Sequence, residues 1–358
     1  MRILSLTAIF LSVALTSVAD YREGYYDAMD GKMKAELKMA AKSCVADHKV
    51  LEYKDLPNHW IHSDVYPDLY DGKKRWWDMY SDNVYLIEDG QTGKQSFSAN
   101  RMQREHAVPK SWWKKGDDVE YTPAYSDMWN LYPSDGDANQ EKSNYPFAPV
   151  NSISFDNGVS KVGAPVEGFG GGCKVVFEPA DEYKGDFARA FFYMATVYDD
   201  LPWRTGYFPQ TMFKTETWPT LTSWASGMLL EWSRLDPVSE KETMRNDAVE
   251  TQQGNRNPYI DFPALAEYVW GERTGEVFYI GGQGGVDGIG GFGPVEVRIE
   301  GGCLHVTGGS GAGGFILTDI YGRILLRVDR AMQGDSYPVP YKGIVILTTG
   351  SRSRKIML

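Results

Sequence analysis

The chain is poor in the residues that build disulfide or metal-bound scaffolds. Its 358 residues include only 3 Cys and 5 His, and no two cysteines form a Cys-x-x-Cys pair. This argues against a disulfide scaffold and against a structural zinc site with cysteine ligands. Cys44 and Cys173 remain able to pair with each other, whereas Cys303 lies in a different region and is expected to be a small buried residue.

Positive charge is also scarce. Lys and Arg number 37 against 48 Asp and Glu, a formal net charge of −11 at pH 7. An acidic chain is not typical of a protein that coats nucleic acid with its whole surface, but it is compatible with a nucleic-acid enzyme whose cleft alone is basic. The composition, with 42% hydrophobic and 24% charged residues, excludes a disordered protein, a collagen-like fibre and a membrane bundle.

Beyond the N-terminus, the sequence contains no apolar run long enough to span a bilayer. There, Arg2 precedes an apolar run from Ile3 to Val18, and Ser17-Val18-Ala19 supplies the small residues of a cleavage site. We interpret residues 1–19 as a secretory signal peptide, with a retained anchor helix as the alternative. We therefore expect a secreted or periplasmic protein, without a membrane span and with the cell surface as a further location.

Two regions of different composition follow this segment. Residues 20–275 are predicted to be mostly helical, residues 276–294 form a Gly-rich linker, and residues 295–358 show the short β-like runs of a small β-sandwich-like domain. The predicted helices cover 20–46, a segment from Lys184 capped by Asp186, Leu221–Leu235, and a segment from the capping box Ser239-Glu240-Lys241-Glu242 to Gly254. The fold class is therefore α+β.

A polar cluster near residue 105 contains the residue types that phosphodiester hydrolysis needs. Glu105 and His106 are expected at the end of a strand, where neighbouring side chains can reach one site. Histidine suits a general base because its pKa lies near neutrality, and the oxygens of Glu105 and Asn139 suit Mg²⁺. Each also has a structural interpretation: His106 as a core or surface histidine, Glu105 as an ion-pair partner of Arg104, and Asn139 as a helix cap.

At these residues the chain resembles the endonuclease I family of ββα-metal (His-Me finger) nucleases. The resemblance lies in a series of motifs whose order and spacing match over roughly residues 25–272. The motifs are Arg104-Glu105-His106 with Pro109 and Ser111-Trp112, Asn130-Leu131-x-Pro133, Asn139-x-x-Lys142-Ser143-Asn144, Phe177-Glu178-Pro179, Lys184-Gly185-Asp186-x-Ala188-Arg189-Ala190, Asp236-Pro237-Val238, Arg245-Asn246 and Asn255-Arg256-Asn257-Pro258-Tyr259-Ile260-Asp261.

The resemblance implies a role for each residue of the cluster. His106 would be the general base, Asn130 would orient it by side chain or backbone, and Glu105 and Asn139 would bind one Mg²⁺, for which Mn²⁺ or Ca²⁺ can substitute. Lys142 stands where the family often has arginine, and it would have a supporting role because lysine lacks bidentate phosphate binding. Apart from the resemblance, Arg104 and Lys110 belong to a basic cluster whose position suits contact with the substrate phosphate, with a solvated face as the alternative. The leaving-group arginine is left open among Arg104, Arg189, Arg245 and Arg256.

The implied function is Mg²⁺-dependent hydrolysis of DNA, with RNA left open as a second substrate, little sequence preference and 5′-phosphate products. The fold would be a mostly helical catalytic domain around a ββα-metal finger. The turn Ile320-Tyr321-Gly322-Arg323, the segment Lys342-Gly343-Ile344 before a strand and the basic tail Arg354-Lys355-Ile356-Met357-Leu358 give the C-terminal domain a weaker resemblance to the sorting domains of the type IX secretion system. This resemblance implies the secretion machinery as a second partner, with a surface-attachment module as the alternative. Two other functions stay open: a metal phosphodiesterase with a non-nucleic substrate, and a non-catalytic binding protein.

Overall fold

The computed structural model of the chain describes residues 21–113, 117–280, 295–300, 303–309, 313–319, 324–332, 334–339, 341, 344–349 and 352–357. The predicted signal peptide, most of the predicted linker and the turn at 320–323 lie outside these ranges. Within them, helices and small antiparallel sheets form the expected α+β mixture. No described helix combines the length and the apolar character that a membrane crossing requires.

The first region, up to Ile280, is built around a buried central helix. This helix, α5, runs from Lys184 to Val197, and every residue from Gly185 to Val197 is buried. The other helices surround the same aromatic-rich core. They are α1 (Lys34–Val45), α2 (Leu56–Trp60), α3 (Gly93–Ala99), α4 (Gly136–Lys142), α6 (Ser223–Leu235), α7 (Glu240–Gln253), α8 (Pro258–Asp261) and α9 (Leu265–Val269).

Three small antiparallel sheets accompany these helices. One pairs β1 (Lys74–Arg75) with β2 (Leu86–Ile87), and another pairs β3 (Gln103–His106) with β4 (Leu131–Ser134). The third sheet joins β5 (Val150–Asp156), β6 (Ser160–Pro165) and β7 (Val176–Pro179) in that order. The hairpin of β5 and β6, which was not predicted, turns at Asn157-Gly158, where the glycine has φ +90°.

The local signals in the sequence locate some helix ends and miss others. The capping box at Ser239 and Glu242 is present, and α7 ends at Gly254, which adopts the left-handed conformation with φ 94°. The prediction that Asp186 caps α5 is wrong, because the helix already begins at Lys184. Asp186 instead forms an ion pair with Lys241 of α7, so its carboxylate joins α5 to α7. Cys44 and Cys173, left able to pair, are both free thiols.

The described C-terminal strands form two antiparallel sheets. Buried residues of both sheets pack into one hydrophobic cluster, which is separate from the core of the first region. The strands Ser336–Pro338 and Arg352–Met357 were not predicted, because the first is short and the second is rich in charge. One sheet has the order β11 (Ile324–Ala331), β10 (Gly313–Asp319), β13 (Ile344–Thr349), β14 (Arg352–Met357), and the other has β12 (Ser336–Pro338), β9 (Cys303–Gly309), β8 (Val295–Glu300).

The first region extends past Gly275. Phe278 is fully buried, packs against Phe262 and Tyr268, and exchanges backbone hydrogen bonds with Gly31 and Lys32. We therefore predict that a chain of residues 20–280 unfolds cooperatively on its own. A chain of residues 20–275 should lose about 3 kcal/mol of unfolding free energy, the cost typical of deleting a buried phenylalanine.

Urea denaturation of the two truncated chains measures this difference, with the full-length chain as reference. Equal unfolding free energies for the two truncated chains would show that residues 276–280 contribute nothing to the first core. Failure of the 20–280 chain to unfold cooperatively would show that the division after Ile280 is wrong.

Candidate active site

The polar cluster of the sequence lies on a unit of two strands and one helix. β3 and β4 run antiparallel, with Glu105 opposite Tyr132 and His106 opposite Leu131, and α4 follows directly after β4. Asp135 connects β4 to α4. Its side chain accepts a hydrogen bond from the amide of Ala138 at 2.8 Å, which caps α4, and its own amide donates to the buried Asp78 at 3.0 Å.

Two side-chain contacts join α4 to β3. Lys142 Nζ donates to Glu105 Oε1 at 2.5 Å, and Asn139 Nδ2 donates to Gln103 Oε1 at 2.7 Å. Gln103 and Glu105 are two residues apart on a strand and therefore share a face, and Asn139 and Lys142 are three apart on a helix and also share one. Glu105 and Asn139 thus lie on the two sides of one strand–helix contact.

His106 stands at the end of β3 and is held in one protonation state. Its Nε2 lies 2.9 Å from the carbonyl oxygen of Tyr125. A carbonyl only accepts hydrogen bonds, so Nε2 carries the proton and Nδ1 keeps its lone pair. Burial lowers the pKa of His106 to about 3, and the charges of Lys110 and Lys142 act in the same direction. The ring is therefore neutral and oriented.

Aromatic side chains surround this imidazole. Tyr53 stacks parallel to it, with 6.1 Å between ring centroids and 12° between planes. The ring of Tyr125 lies at 5.4 Å and that of Trp113 at 6.2 Å. These contacts exclude water from much of the ring and hold its orientation.

Lys142 is fully buried and serves the site from within the protein. Besides Glu105, its ammonium donates to the carbonyl oxygen of His106 at 3.0 Å. Burial raises the pKa of Glu105, while the charge and hydrogen bond of Lys142 lower it. Lys142 therefore offsets the cost of burying the carboxylate and fixes the backbone at His106.

Asn130 forms hydrogen bonds with the backbone next to His106, and among the described contacts none joins it to the imidazole ring. Its Oδ1 accepts from the amide of Val108 at 2.8 Å, and its Nδ2 donates to the carbonyl of the same residue at 3.1 Å. Its own carbonyl accepts from the amide of Ala107 at 2.8 Å. Asn130 thus fixes the two residues that follow the histidine.

Of the two predicted phosphate contacts, only Lys110 is exposed. Its Nζ lies 5.1 Å from the centre of the Tyr125 ring, beside the histidine. Arg104 lies half-buried on the opposite strand face from Glu105, over the rings of Tyr53 and Phe97. Its Nη2 donates to the carbonyl of Lys54 at 3.1 Å, and burial lowers its pKa.

The other arginines considered for the leaving group are structural. Arg189, Arg245 and Arg256 are buried, and each pairs with a carboxylate at 2.7–2.8 Å. Their partners are Glu242, Asp64 and Asp261, respectively. None of the three is free to contact a substrate.

The donor atoms at the strand–helix contact suit a hard cation. Glu105 offers a carboxylate, and because Nδ2 of Asn139 is engaged by Gln103, its Oδ1 is left as an acceptor. Oxygens of these types are preferred by Mg²⁺, which keeps several waters and needs few protein ligands. Within the described ranges, no group of three or more His, Cys, Asp or Glu could hold a metal ion.

Comparison with known proteins identifies the family of the chain. The sequence model described as Endonuclease I matches residues 33–264. An extracellular ribonuclease of Bacillus amyloliquefaciens is 32% identical over 72% of this chain and 82% of its own length. The chain belongs to the endonuclease I family. It is accordingly a nuclease, an enzyme that hydrolyses phosphodiester bonds, and nucleases of this family are generally metal-dependent.

Further relatives in the endonuclease I family carry the names of both RNA- and DNA-cleaving enzymes. An extracellular ribonuclease of Bacillus subtilis (strain 168) is 29% identical over 69% of this chain and 78% of its own length. An extracellular deoxyribonuclease of Aeromonas hydrophila is 26% identical over 47% of this chain and 69% of its own length.

The candidate site also contains residues that sequence reasoning missed. Tyr125 contributes a backbone carbonyl, for which no side-chain pattern exists. Gln103 precedes Glu105 by two residues, and its place on the same strand face was a usable signal. Asp135, followed by Gly136-Asp137-Ala138, is an N-cap that the sequence analysis did not identify.

Lys142 provides a test of this architecture. We predict that Lys142→Met lowers the unfolding free energy by about 3–5 kcal/mol, because it leaves the buried Glu105 without a cation. The matched control is Lys73→Met, which removes a lysine from the exposed pair with Glu88 and should leave the unfolding free energy almost unchanged. Chemical denaturation measures both, and similar losses in the two variants would refute the structural role of Lys142.

Proposed function

We propose that the chain is a secreted, Mg²⁺-dependent endonuclease that cleaves DNA and RNA with little sequence preference and leaves 5′-phosphate ends. The observation that carries the proposal is the neutral His106, whose Nε2–H is held by the Tyr125 carbonyl next to Glu105. We identify β3, β4 and α4 with a ββα-metal finger. Secretion is supported by the apolar leader in the sequence and by the extracellular and periplasmic relatives.

In the proposed reaction, His106 acts as general base. Nδ1 has the free lone pair, so it accepts a proton from the attacking water, and the Tyr125 carbonyl stabilises the resulting imidazolium through Nε2–H. Asn130 holds the backbone on which the histidine stands. Lys110, exposed beside the base, attracts the substrate phosphate.

Glu105 and Asn139 would hold the Mg²⁺ through a carboxylate oxygen and an amide oxygen. When bound, the ion supplies charge that stabilises the phosphate oxygens during displacement. Lys142 lowers the pKa of Glu105 against the effect of burial, which favours the ionised carboxylate, and it holds one carboxylate oxygen by a hydrogen bond. The C-terminal region contributes no residue to this assignment, and we retain export as its proposed role.

The choice of substrate follows from the proposed nucleophile. A water activated by histidine does not use the ribose 2′-hydroxyl, so the chemical step itself does not require a ribose. The names of the relatives include ribonucleases and deoxyribonucleases, which supports activity on both. The test is to compare RNA, DNA and 2′-O-methyl RNA. Resistance of the methylated RNA alone, or products with 2′,3′-cyclic phosphates, would disprove the water mechanism.

We predict that His106→Ala lowers the rate of plasmid nicking by a factor on the order of 10²–10⁴, the contribution of a general base, without changing DNA affinity. His62→Ala, at an exposed histidine, is the control and should nick at the wild-type rate. Addition of EDTA should abolish nicking by all forms. If His106→Ala nicks as fast as the wild type, another group is the base. If the wild-type protein hydrolyses only non-nucleic phosphodiesters, the proposed nucleic-acid substrate is wrong.

A metal titration tests the two proposed ligands. We predict that Glu105→Gln and Asn139→Ala each raise the Mg²⁺ concentration for half-maximal rate by about 10-fold or more, because each removes or weakens one of few protein ligands. The control is Gln140→Ala, at an exposed position next to Asn139 on α4. A variant whose Mg²⁺ titration and maximal rate equal those of the wild type would remove that residue from the ligand set.

A further inference from the structure

We propose that Arg204, together with Ser111, Asn144 and Tyr207, forms a subsite that binds a substrate phosphate flanking the bond that is cut. The inference rests on the proposed function, since it concerns the same nucleic-acid substrate. Arg204 belongs to none of the motifs of the family resemblance. The subsite extends the site to the segment that follows Tyr198, beyond the strand–strand–helix unit.

The four side chains are held together by hydrogen bonds and one ring contact. Arg204 Nη1 donates to the carbonyl oxygen of Ser111 at 3.0 Å, and its guanidinium carbon lies 3.6 Å from the centre of the Tyr207 ring. Asn144 Nδ2 lies 3.2 Å from Ser111 Oγ and 3.3 Å from the Tyr207 hydroxyl. The arginine is therefore oriented before any ligand binds, which lowers the entropy cost of binding.

This cluster adjoins both segments that leave the catalytic unit. Ser111 follows His106 by five residues, after β3 ends, and Asn144 follows Lys142 by two residues, after α4 ends. The backbone of Arg204 is tied to the first segment, because its amide donates to the carbonyl of Trp112 at 2.7 Å. Two edge-on ring contacts, His106–Trp113 at 6.2 Å and Trp113–Trp203 at 5.9 Å, connect the proposed base to the residue before Arg204.

Arg204 differs from the other arginines considered in how its charge is balanced. Arg189, Arg245 and Arg256 are buried and paired with carboxylates, whereas no carboxylate in the described part of the chain pairs with Arg204. Its side chain is half-buried, and no described residue accepts a hydrogen bond from Nε or Nη2. Guanidinium, hydroxyl and amide donors are the groups that contact phosphate oxygens in protein–nucleic acid complexes.

The test is DNA binding as a function of salt, measured by fluorescence anisotropy with the full chain in EDTA, so that no cleavage occurs. Each phosphate neutralised on duplex DNA contributes about 0.9 to the slope of log K against log[salt]. We expect Arg204→Ala to reduce the magnitude of that slope by about this amount and to weaken binding roughly tenfold at low salt. Arg204→Lys should keep the slope but recover only part of the affinity, because lysine lacks the planar fork.

The matched control is Arg234→Ala, which removes an exposed arginine of α6 that pairs with Glu267. It should leave both slope and affinity unchanged. If Arg204 only holds the backbone of Ser111 in place, Arg204→Ala will weaken DNA binding without changing the slope of log K against log[salt]. That result refutes the subsite. An unchanged slope and affinity, or an equal change in Arg234→Ala, refutes it as well. A wild-type chain that neither binds DNA in this assay nor nicks plasmid in Mg²⁺ overturns the proposed function together with the subsite. A chain that nicks plasmid in Mg²⁺ but does not bind DNA in EDTA refutes the subsite alone, because Arg204 does not depend on the metal.

Discussion

The position of α4 on β3 depends on one buried ion pair. Lys142 of α4 and Glu105 of β3 are both buried, and their contact fixes how the helix sits on the strand. Burying two charges costs more than their attraction returns unless further hydrogen bonds are made. Here the ammonium also binds the backbone of His106, so the same group that balances the carboxylate places the histidine. A shift of α4 by one residue would break this contact and the one between Asn139 and Gln103 together.

This arrangement sets the charge that a bound ion would meet. On the proposed assignment, the carboxylate of Glu105 is already balanced by Lys142, and Asn139 contributes no charge. A divalent cation there would keep most of its positive charge, so its affinity for the free protein should be modest. The phosphate of the substrate would then supply the missing negative charge. Metal and nucleic acid should therefore bind cooperatively, each raising the affinity of the other by the same factor.

Several residues of the candidate site could be predicted from the sequence, for reasons that differ between residues. The ordered motifs pointed to Glu105, His106 and Asn139, which all lie on the β3–β4–α4 unit, and helices such as α7 follow from capping signals. The role of the Tyr125 carbonyl could not be predicted from the sequence, since any residue type supplies the same backbone group. The arginines of the motifs were ambiguous for another reason: sequence shows a charge but not its partner. Only the structure reveals that Arg189 faces Glu242 in the core.

The pairing of charges in the interior explains how an acidic chain can still capture a polyanion. Buried cations such as Arg245 and Arg256 are paired with carboxylates and contribute little field at the surface. Attraction of the substrate near the site then depends on cations with which no described carboxylate pairs, such as Lys110 and Arg204. The remaining charge for the reaction would have to come from the bound ion, which links the acidity of the chain to its need for metal.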